Sequence, residues 1–220
     1  TIEVTGANGR LPVDNFSGKL YKDNKEVGAN KFMTNLAERG GKNKLICQPG
    51  CVVHCSNCYN DKDGNYLTSG LEYETVALFG PICHISDLDA IAMMDRLCDD
   101  MGVDTIETAN AIAVCMETGK IPWGDAQAVI GLLNELKEGT EFGNLLGQGC
   151  EAVGTHLGCK RIPVVKHQAL AGYEPRNTKG TGITYATSPM GADHTAGLTM
   201  GRAFDDAGRT AQAYVSNKLQ

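Results

Sequence analysis

The chain has 220 residues, of which 42% are hydrophobic, 21% charged and 6% aromatic, and its formal net charge is −6. This length predicts one domain or two small ones with a real core, and the ordinary apolar content excludes a disordered chain. No apolar run approaches the ~20 residues of a membrane helix, no Lys or Arg cluster suits a nucleic acid, and no leader sequence opens the chain. We therefore expect a cytoplasmic protein that binds neither membranes nor nucleic acids.

The N-terminal third is predicted to be irregular. Residues 1–28 are polar and rich in Gly and Asn, which predicts loop with one short strand at Ile2–Thr5. Apolar residues at helical spacing predict a short helix over Ala29–Arg39, which Gly40-Gly41 would end. After the cysteine-rich segment, Asp63-Gly64 predicts a tight hairpin turn.

From residue 86 onward the pattern becomes helical. Apolar residues recur at helical spacing between capping residues, and Ser86 and Asp104 are predicted N-caps. The predicted helices run over about 86–101, 104–118, 125–137, 140–146 and 149–157. The stretch 161–193 is rich in Pro and Gly and is predicted to be mostly loop, before a last helix over Thr195–Leu219. The predicted class is mainly α, multihelical with irregular loops and at most a short N-terminal strand or hairpin.

Nine cysteines are present, and four of them, Cys47, Cys51, Cys55 and Cys58, fall within one short run. Thiolates at such intervals on a Gly/Pro-bearing loop can converge on an iron–sulfur cluster or a zinc ion, although the second, distant pair typical of structural zinc is missing. The last three also match the spacing of radical S-adenosylmethionine enzymes, but that fold needs repeated βα units, which the helical pattern does not provide. The other five cysteines are expected in the core.

Beyond the cysteine run, a series of short segments resembles one family in order and spacing. The segments are Gly70-Leu71-Glu72-Tyr73-Glu74-Thr75, Leu78-Phe79-Gly80, the stretch from Leu97 to Ile106, Val165-Lys166, Gly172-Tyr173-Glu174-Pro175-Arg176, the stretch from Gly182 to Ser188, and Gly191-Ala192-Asp193-His194. Together they resemble the aldehyde:ferredoxin oxidoreductases, which are tungsten- or molybdenum-pterin enzymes with a four-iron cluster.

The resemblance implies roles for individual residues. Glu74 matches a carboxylate beside the tungsten centre, and His194 matches a histidine that acts beside the substrate. Asp99 and Asp104 match residues that hydrogen-bond the pterin, although a helix–turn–helix junction would also explain them. Arg176 is a candidate contact for the pterin phosphate, or equally an ordinary surface arginine.

The resemblance also implies a set of cluster ligands. In the family, three cysteines of such a run and a fourth from much later in the chain hold the cluster. This implies Cys47, Cys51 and Cys55 as metal ligands, with Cys58 as an extra thiol that could replace the distant one. The family spacing is C-x2-C-x3-C, whereas three residues separate Cys47 from Cys51 here, so the first ligand departs from the pattern.

Residues 1–160 are expected to form the second domain of such an enzyme, with the cysteine loop, and residues 161–220 the incomplete start of the third. A pterin-cradling first domain and a C-terminal remainder are expected in a longer protein, and the chain alone is expected to be inactive. The implied function is oxidation of an aldehyde to a carboxylic acid, with electrons passing from tungstopterin or molybdopterin through a 4Fe-4S cluster to ferredoxin. The residues are also compatible with an alternative function, an iron–sulfur or zinc-binding module that transfers electrons or supports structure without catalysis of its own.

Overall fold

The computed structural model describes residues 2–18 and 20–196. The helices are α1 (Ile2–Ala7), α2 (Ala29–Glu38), α3 (Tyr73–Phe79), α4 (Leu88–Met101), α5 (Thr105–Glu117), α6 (Ala126–Glu138), α7 (Glu141–Leu146), α8 (Cys150–His156) and α9 (Lys179–Thr187), with a 3-10 turn at Pro81–Cys83. The strands are β1 (Lys42–Leu45), β2 (Ser56–Asn60), β3 (Tyr66–Ser69), β4 (Val164–Val165) and β5 (Gln168–Ala169). The prediction of a mainly α, multihelical chain is confirmed.

Helix α5 lies at the centre of the core. Its residues from Thr108 to Met116 are all buried, which is typical of a helix surrounded by others. It packs against α3 and α8, while α4 packs against α6. No single helix of the described residues is long and apolar enough to cross a membrane, although one pair bent by 119°, Tyr73–Cys83 with Leu88–Met101, meets the length and composition limits together.

Side-chain caps begin four of the described helices, and the cap of α5 was predicted. Asp104 accepts a hydrogen bond from the backbone N–H of Glu107 at 2.7 Å, and Asp125 and Thr140 begin α6 and α7 in the same way. Ser86 is not the N-cap of α4. Asp87 is, because its carboxylate accepts the N–H of Asp89 at 2.9 Å.

The cysteine segment lies between strands of a three-stranded antiparallel sheet. The order in this sheet is β1-β2-β3, and the loop between β1 and β2 holds most of the cysteine run. The hairpin predicted at Asp63-Gly64 is confirmed, since Gly64 has φ +82° in the turn between β2 and β3. Strand β1 was not predicted, because its sequence Lys-Asn-Lys-Leu lacks the apolar alternation of a half-buried strand.

One further prediction of local structure was wrong. Ile2–Thr5 is not a strand but part of α1, since Ile2, Thr5 and Gly6 are buried together at helical spacing. The stretch 161–193 is mostly loop, as predicted, but it also contains the β4–β5 pair and α9, whose Thr181, Thr184 and Tyr185 are buried along one face. Burial of that face outweighs the weak helix propensity of its glycines and threonines.

The helix predicted for Thr195–Leu219 lies, from residue 197 onward, outside the described residues. The division into domains at residue 160 stays a prediction.

Candidate functional site

The two residues predicted to act in catalysis meet in the structure. Glu74 lies in the first turn of α3, and His194 follows 120 residues later, after α9. The His194 Nε2 atom lies 3.4 Å from Oε1 of Glu74. The Glu74 side chain is 12% exposed and the His194 side chain 43% exposed, so the pair joins a buried acid to the protein surface.

The backbone at Gly172 fixes one oxygen of this acid. The Gly172 N–H donates to Oε2 of Glu74 at 2.6 Å, and the Gly172 carbonyl accepts from the Tyr73 hydroxyl at 2.7 Å. A Cβ at position 172 would lie 2.9 Å from Oε2, so only glycine allows this approach without displacement. Oε1 is buried and accepts no well-formed hydrogen bond within the described residues, and the Nε2 atom of His194 lies 3.4 Å from it.

An aromatic stack orients the histidine. The His194 ring is parallel to the Tyr173 ring, with an interplanar angle of 3° and centroids 6.4 Å apart. Tyr173 in turn stacks on Tyr73 at 5.1 Å. Tyr185 lies in the same small core cluster, and its buried hydroxyl has no partner among the described residues. The stack holds the imidazole beside the Glu74 carboxylate.

The electrostatics shift the Glu74 carboxyl toward its protonated form. Burial raises the pKa of Glu74, while the Gly172 N–H, the nearby His194 and the Tyr173 hydroxyl oppose that rise. Burial also raises the pKa of Tyr73, Tyr173 and Tyr185, so all three stay neutral hydroxyls. A buried acid with one open oxygen beside an accessible imidazole is a suitable pair for moving a proton.

The cysteine run forms a separate candidate metal centre. Cys47 and Cys55 are exposed, Cys51 is half-buried, and Cys58 lies on β2 with its thiol 3.7 Å from Oδ1 of Asn60. Within residues 2–18 and 20–196, no three His, Cys, Asp or Glu side chains are gathered closely enough to hold a metal ion. The four thiols are therefore close along the chain but not convergent.

The chemistry of these thiols nevertheless suits an iron–sulfur cluster. Hydrogen bonds from the backbone at His54 and Val53 lower the pKa of Cys51, which favours the thiolate that binds metal. A hydrogen bond with Glu72 and its negative charge raise the pKa of Cys55. Soft thiolates on one accessible loop are the donors that iron–sulfur clusters require, so the donor set fits such a group.

Two of the three predicted pterin contacts have other partners in the structure. Asp99 is exposed in the last turn of α4, and Asp104 caps α5. The Arg176 guanidinium donates to both carboxylate oxygens of Glu174 at 2.7 Å and to the carbonyl of Gly18 at 3.0 Å. These contacts explain Asp104 and Arg176 structurally, and the roles of all three residues toward a pterin stay predictions.

Sequence reasoning did not assign the groups that hold Glu74 and His194. Gly172, Tyr173 and Tyr73 belong to segments that carried the family resemblance, but no role followed from them. A glycine next to a tyrosine before Pro175 was the available signal, because it suggests a close backbone approach beside an aromatic anchor.

Comparisons with known proteins identify the family of the chain. Residues 1–217 match the family described as "Aldehyde ferredoxin oxidoreductase, domains 2 & 3". The chain is 27% identical over 212 residues to a tungsten-containing aldehyde ferredoxin oxidoreductase of Pyrococcus furiosus, covering 88% of the chain and 33% of that protein. A relative of the same name in Thermococcus kodakarensis is 25% identical over 210 residues, with the same coverage.

Other relatives carry different names. The aliphatic sulfonate oxidoreductase, WOR-like subunit, of Pyrococcus furiosus is 26% identical and covers 84% of the chain and 32% of that protein. Among solved structures, the active site complex BamBC of benzoyl coenzyme A reductase has the same fold, with a TM-score of 0.61 at 14% identity over 86% of this chain and 31% of that one. The chain spans about a third of the length of the curated relatives that it matches. The chain belongs to the aldehyde ferredoxin oxidoreductase family, in the part that comprises domains 2 and 3.

Proposed function

We propose that this chain is part of a tungsten- or molybdenum-pterin enzyme that oxidises an aldehyde to a carboxylic acid and passes the electrons to ferredoxin. The observation that carries the proposal is the approach of His194 to the buried Glu74 at 3.4 Å, across 120 residues of sequence. Family membership supports the oxidoreductase class. The aldehyde and the ferredoxin are proposals, because the chain spans only about a third of its relatives.

The reaction converts an aldehyde and one water into a carboxylic acid, two protons and two electrons. A metal–pterin, when bound, supplies the acceptor for the electron pair. Glu74 is suited to take a proton at Oε1, because Oε2 is fixed by the Gly172 N–H and the raised pKa favours the protonated carboxyl. His194 is accessible and lies against Oε1, so it can pass that proton to solvent.

Other residues of the chain would hold the cofactors. Cys47, Cys51 and Cys55 would bind the 4Fe-4S cluster, and Cys58 is the local candidate for a fourth thiolate. Asp99, Asp104 and Arg176 are the proposed contacts of the tungstopterin or molybdopterin, of which the first two are exposed carboxylates at the α4–α5 junction.

A different substrate class is the second candidate. One relative is named an aliphatic sulfonate oxidoreductase, so sulfonates belong in the same assay as aldehydes. A non-catalytic electron-transfer module is the remaining alternative, and it predicts no turnover with either substrate.

The test uses Glu74→Gln and His194→Ala in the purified protein at its natural full length. Each should lower aldehyde-dependent reduction of an electron-accepting dye by about 10²–10⁴-fold, the usual effect of losing a general acid or base. Iron and pterin contents should stay at the wild-type level, since neither residue is a proposed ligand. Full activity in both variants would contradict the proposal.

The chain offers a matched control pair. His167 Nδ1 lies 2.6 Å from Oε2 of Glu151, but this pair is exposed at the surface. Glu151→Gln and His167→Ala remove the same kinds of group and should leave turnover unchanged. A similar loss in the control pair would indicate a general effect of removing surface charge.

A further inference from the structure

The position of the Glu74 carboxylate depends on a segment with little structure of its own. Residues 168–172 follow the turn of a strand pair only two residues long, and they end at the Gly172 N–H that donates to Glu74. Something outside this segment must therefore hold it at the distance of 2.6 Å that the carboxylate requires.

Helix α5 supplies two of the side chains that hold this segment, in addition to the Tyr73 hydroxyl at the Gly172 carbonyl and the Pro163 carbonyl, which accepts from the Leu170 N–H at 2.9 Å. Oε2 of Glu107 accepts from the Ala169 N–H at 3.0 Å, and Nδ2 of Asn110 donates to the Leu170 carbonyl at 2.9 Å. Glu107 also accepts from the Cys150 N–H at the start of α8, so its removal would disturb two elements at once. Outside its own helix, the Leu170 carbonyl is the one hydrogen-bond partner that Asn110 has among the described residues.

A buried asparagine at position 110 has an unfavourable effect on the stability of the fold. It is fully buried, and its Oδ1 atom has no hydrogen-bond partner among the described residues. An apolar side chain of similar size would avoid the cost of the unsatisfied oxygen. The amide is therefore better explained by what it positions than by what it adds to stability.

We propose that Asn110 is a positioning residue for Glu74, acting through the Leu170 carbonyl to hold the Gly172 N–H against the carboxylate. The proposal rests on the proposed function, in which Glu74 handles a proton. It assigns to α5 a part in the chemistry although, among the described residues, no hydrogen bond joins α5 directly to the Glu74–His194 pair.

Loss of the hydrogen bond between Asn110 and the Leu170 carbonyl should change the titration of Glu74. A hydrogen bond to the charged form of a carboxyl favours ionisation, so removing it raises the pKa. The titratable groups that face Glu74 are His194, Tyr73, Tyr173, Tyr185 and Asp104, and Asn110→Leu changes none of them. A change in the titration of Glu74 would therefore report the displaced backbone.

The experiment follows the infrared band of the protonated carboxyl through a pH titration without substrate, with Glu74→Gln identifying the band. In Asn110→Leu the midpoint should rise by about one unit, a tenfold change in the protonation equilibrium. Asn110→Ser is the second variant should the first fail to fold, since its side chain is too short to reach Leu170. An unchanged midpoint in the folded variant would overturn the proposal.

The matched control is Asn35→Leu. Asn35 is also a buried helical asparagine, but its Nδ2 donates to the Tyr59 hydroxyl at 2.7 Å, in the α2–β2 region. Asn35→Leu should lower Tm without moving the midpoint of the Glu74 titration. An equal shift of that midpoint in Asn35→Leu and Asn110→Leu would count against the positioning of Glu74 by Asn110. Should the midpoint shift as expected while Glu74→Gln keeps full turnover, the proposed function fails and the positioning of the carboxyl by Asn110 stands.

Discussion

Asp95 offers a test of the energetics of the core. It lies on α4 with 3% of its surface exposed, and its Oδ2 accepts from the Thr68 hydroxyl of β3 at 2.7 Å. It forms no ion pair with a basic side chain of the described residues. Burial raises the pKa of Asp95 to about 6, and the negative charges of Asp99 and Glu72 add to that rise against the hydrogen bond from Thr68.

The direction of the pH effect follows from this shift. The pKa of an unfolded Asp is near 3.8, so between about pH 4 and pH 6 the folded protein binds a proton that the unfolded chain has released. Stability from this group is complete below about pH 4, falls as pH rises through 6, and is constant above. A shift of about two units corresponds to about 3 kcal/mol.

Asp95→Asn should remove this penalty. The amide oxygen can still accept from Thr68, but it carries no charge at any pH. We expect the free energy of unfolding in urea to rise by up to about 3 kcal/mol at pH 8 and to change little at pH 4. Asp100→Asn is the control, because Asp100 is exposed and paired with Arg96 at 2.9 Å. Equal destabilisation by Asp95→Asn at both pH values would refute the reasoning, since the buried carboxylate would then be stabilised by the fold.

Three further predictions concern other parts of the structure. Gly172→Ala should lower dye-linked turnover by roughly tenfold or more with intact cofactors, because its Cβ would displace the carboxyl of the candidate site; wild-type turnover would contradict this. Cys51→Ser and Cys55→Ser should abolish the visible absorbance of the anaerobically reconstituted protein, whereas stoichiometric zinc without iron in the wild type would exclude a cluster. Arg176→Ala should cost about 3 kcal/mol in urea unfolding, because it leaves the buried Glu174 carboxylate unpaired; unchanged stability with lost pterin would instead favour the cofactor role.

Local rules were sufficient for the helices of the middle of the chain. Helix α4 ends at Gly102, which has φ +70°, and α5 begins at the Asp104 cap, as their sequence predicts. Such boundaries depend on hydrogen bonds between neighbours along the chain, and these can be inferred from sequence.

Elements that depend on distant packing were not predictable in this way. The residues of α3 from Thr75 to Phe79 are all buried, so the sequence shows no polar face and no helical period. The helical form of α9 depends on neighbours far along the chain, against which its Tyr185 is buried. In both cases burial, rather than local propensity, determines the structure.

Of the candidate site, only the side chains of Glu74 and His194 could be predicted from the sequence. Glu74 and His194 followed from the family resemblance, but their approach requires the chain to return after 120 residues. The group that fixes Glu74 is the backbone N–H of Gly172, and a backbone donor has no signature of its own in a sequence. The orienting stack of Tyr73 and Tyr173 likewise comes from two distant segments.

Helix α5 connects the parts of the molecule that the proposed chemistry needs. Near its start, the Thr105 hydroxyl lies 3.0 Å from that of Thr75 on α3, the helix that carries Glu74. One turn further, Asn110 holds the segment that leads to Gly172. Asp104, a proposed pterin contact, caps the same end of α5. A displacement of this end of α5 would therefore move Glu74, the Gly172 N–H that donates to it, and the proposed pterin contact Asp104 together. The geometry of the site therefore depends on the position of α5.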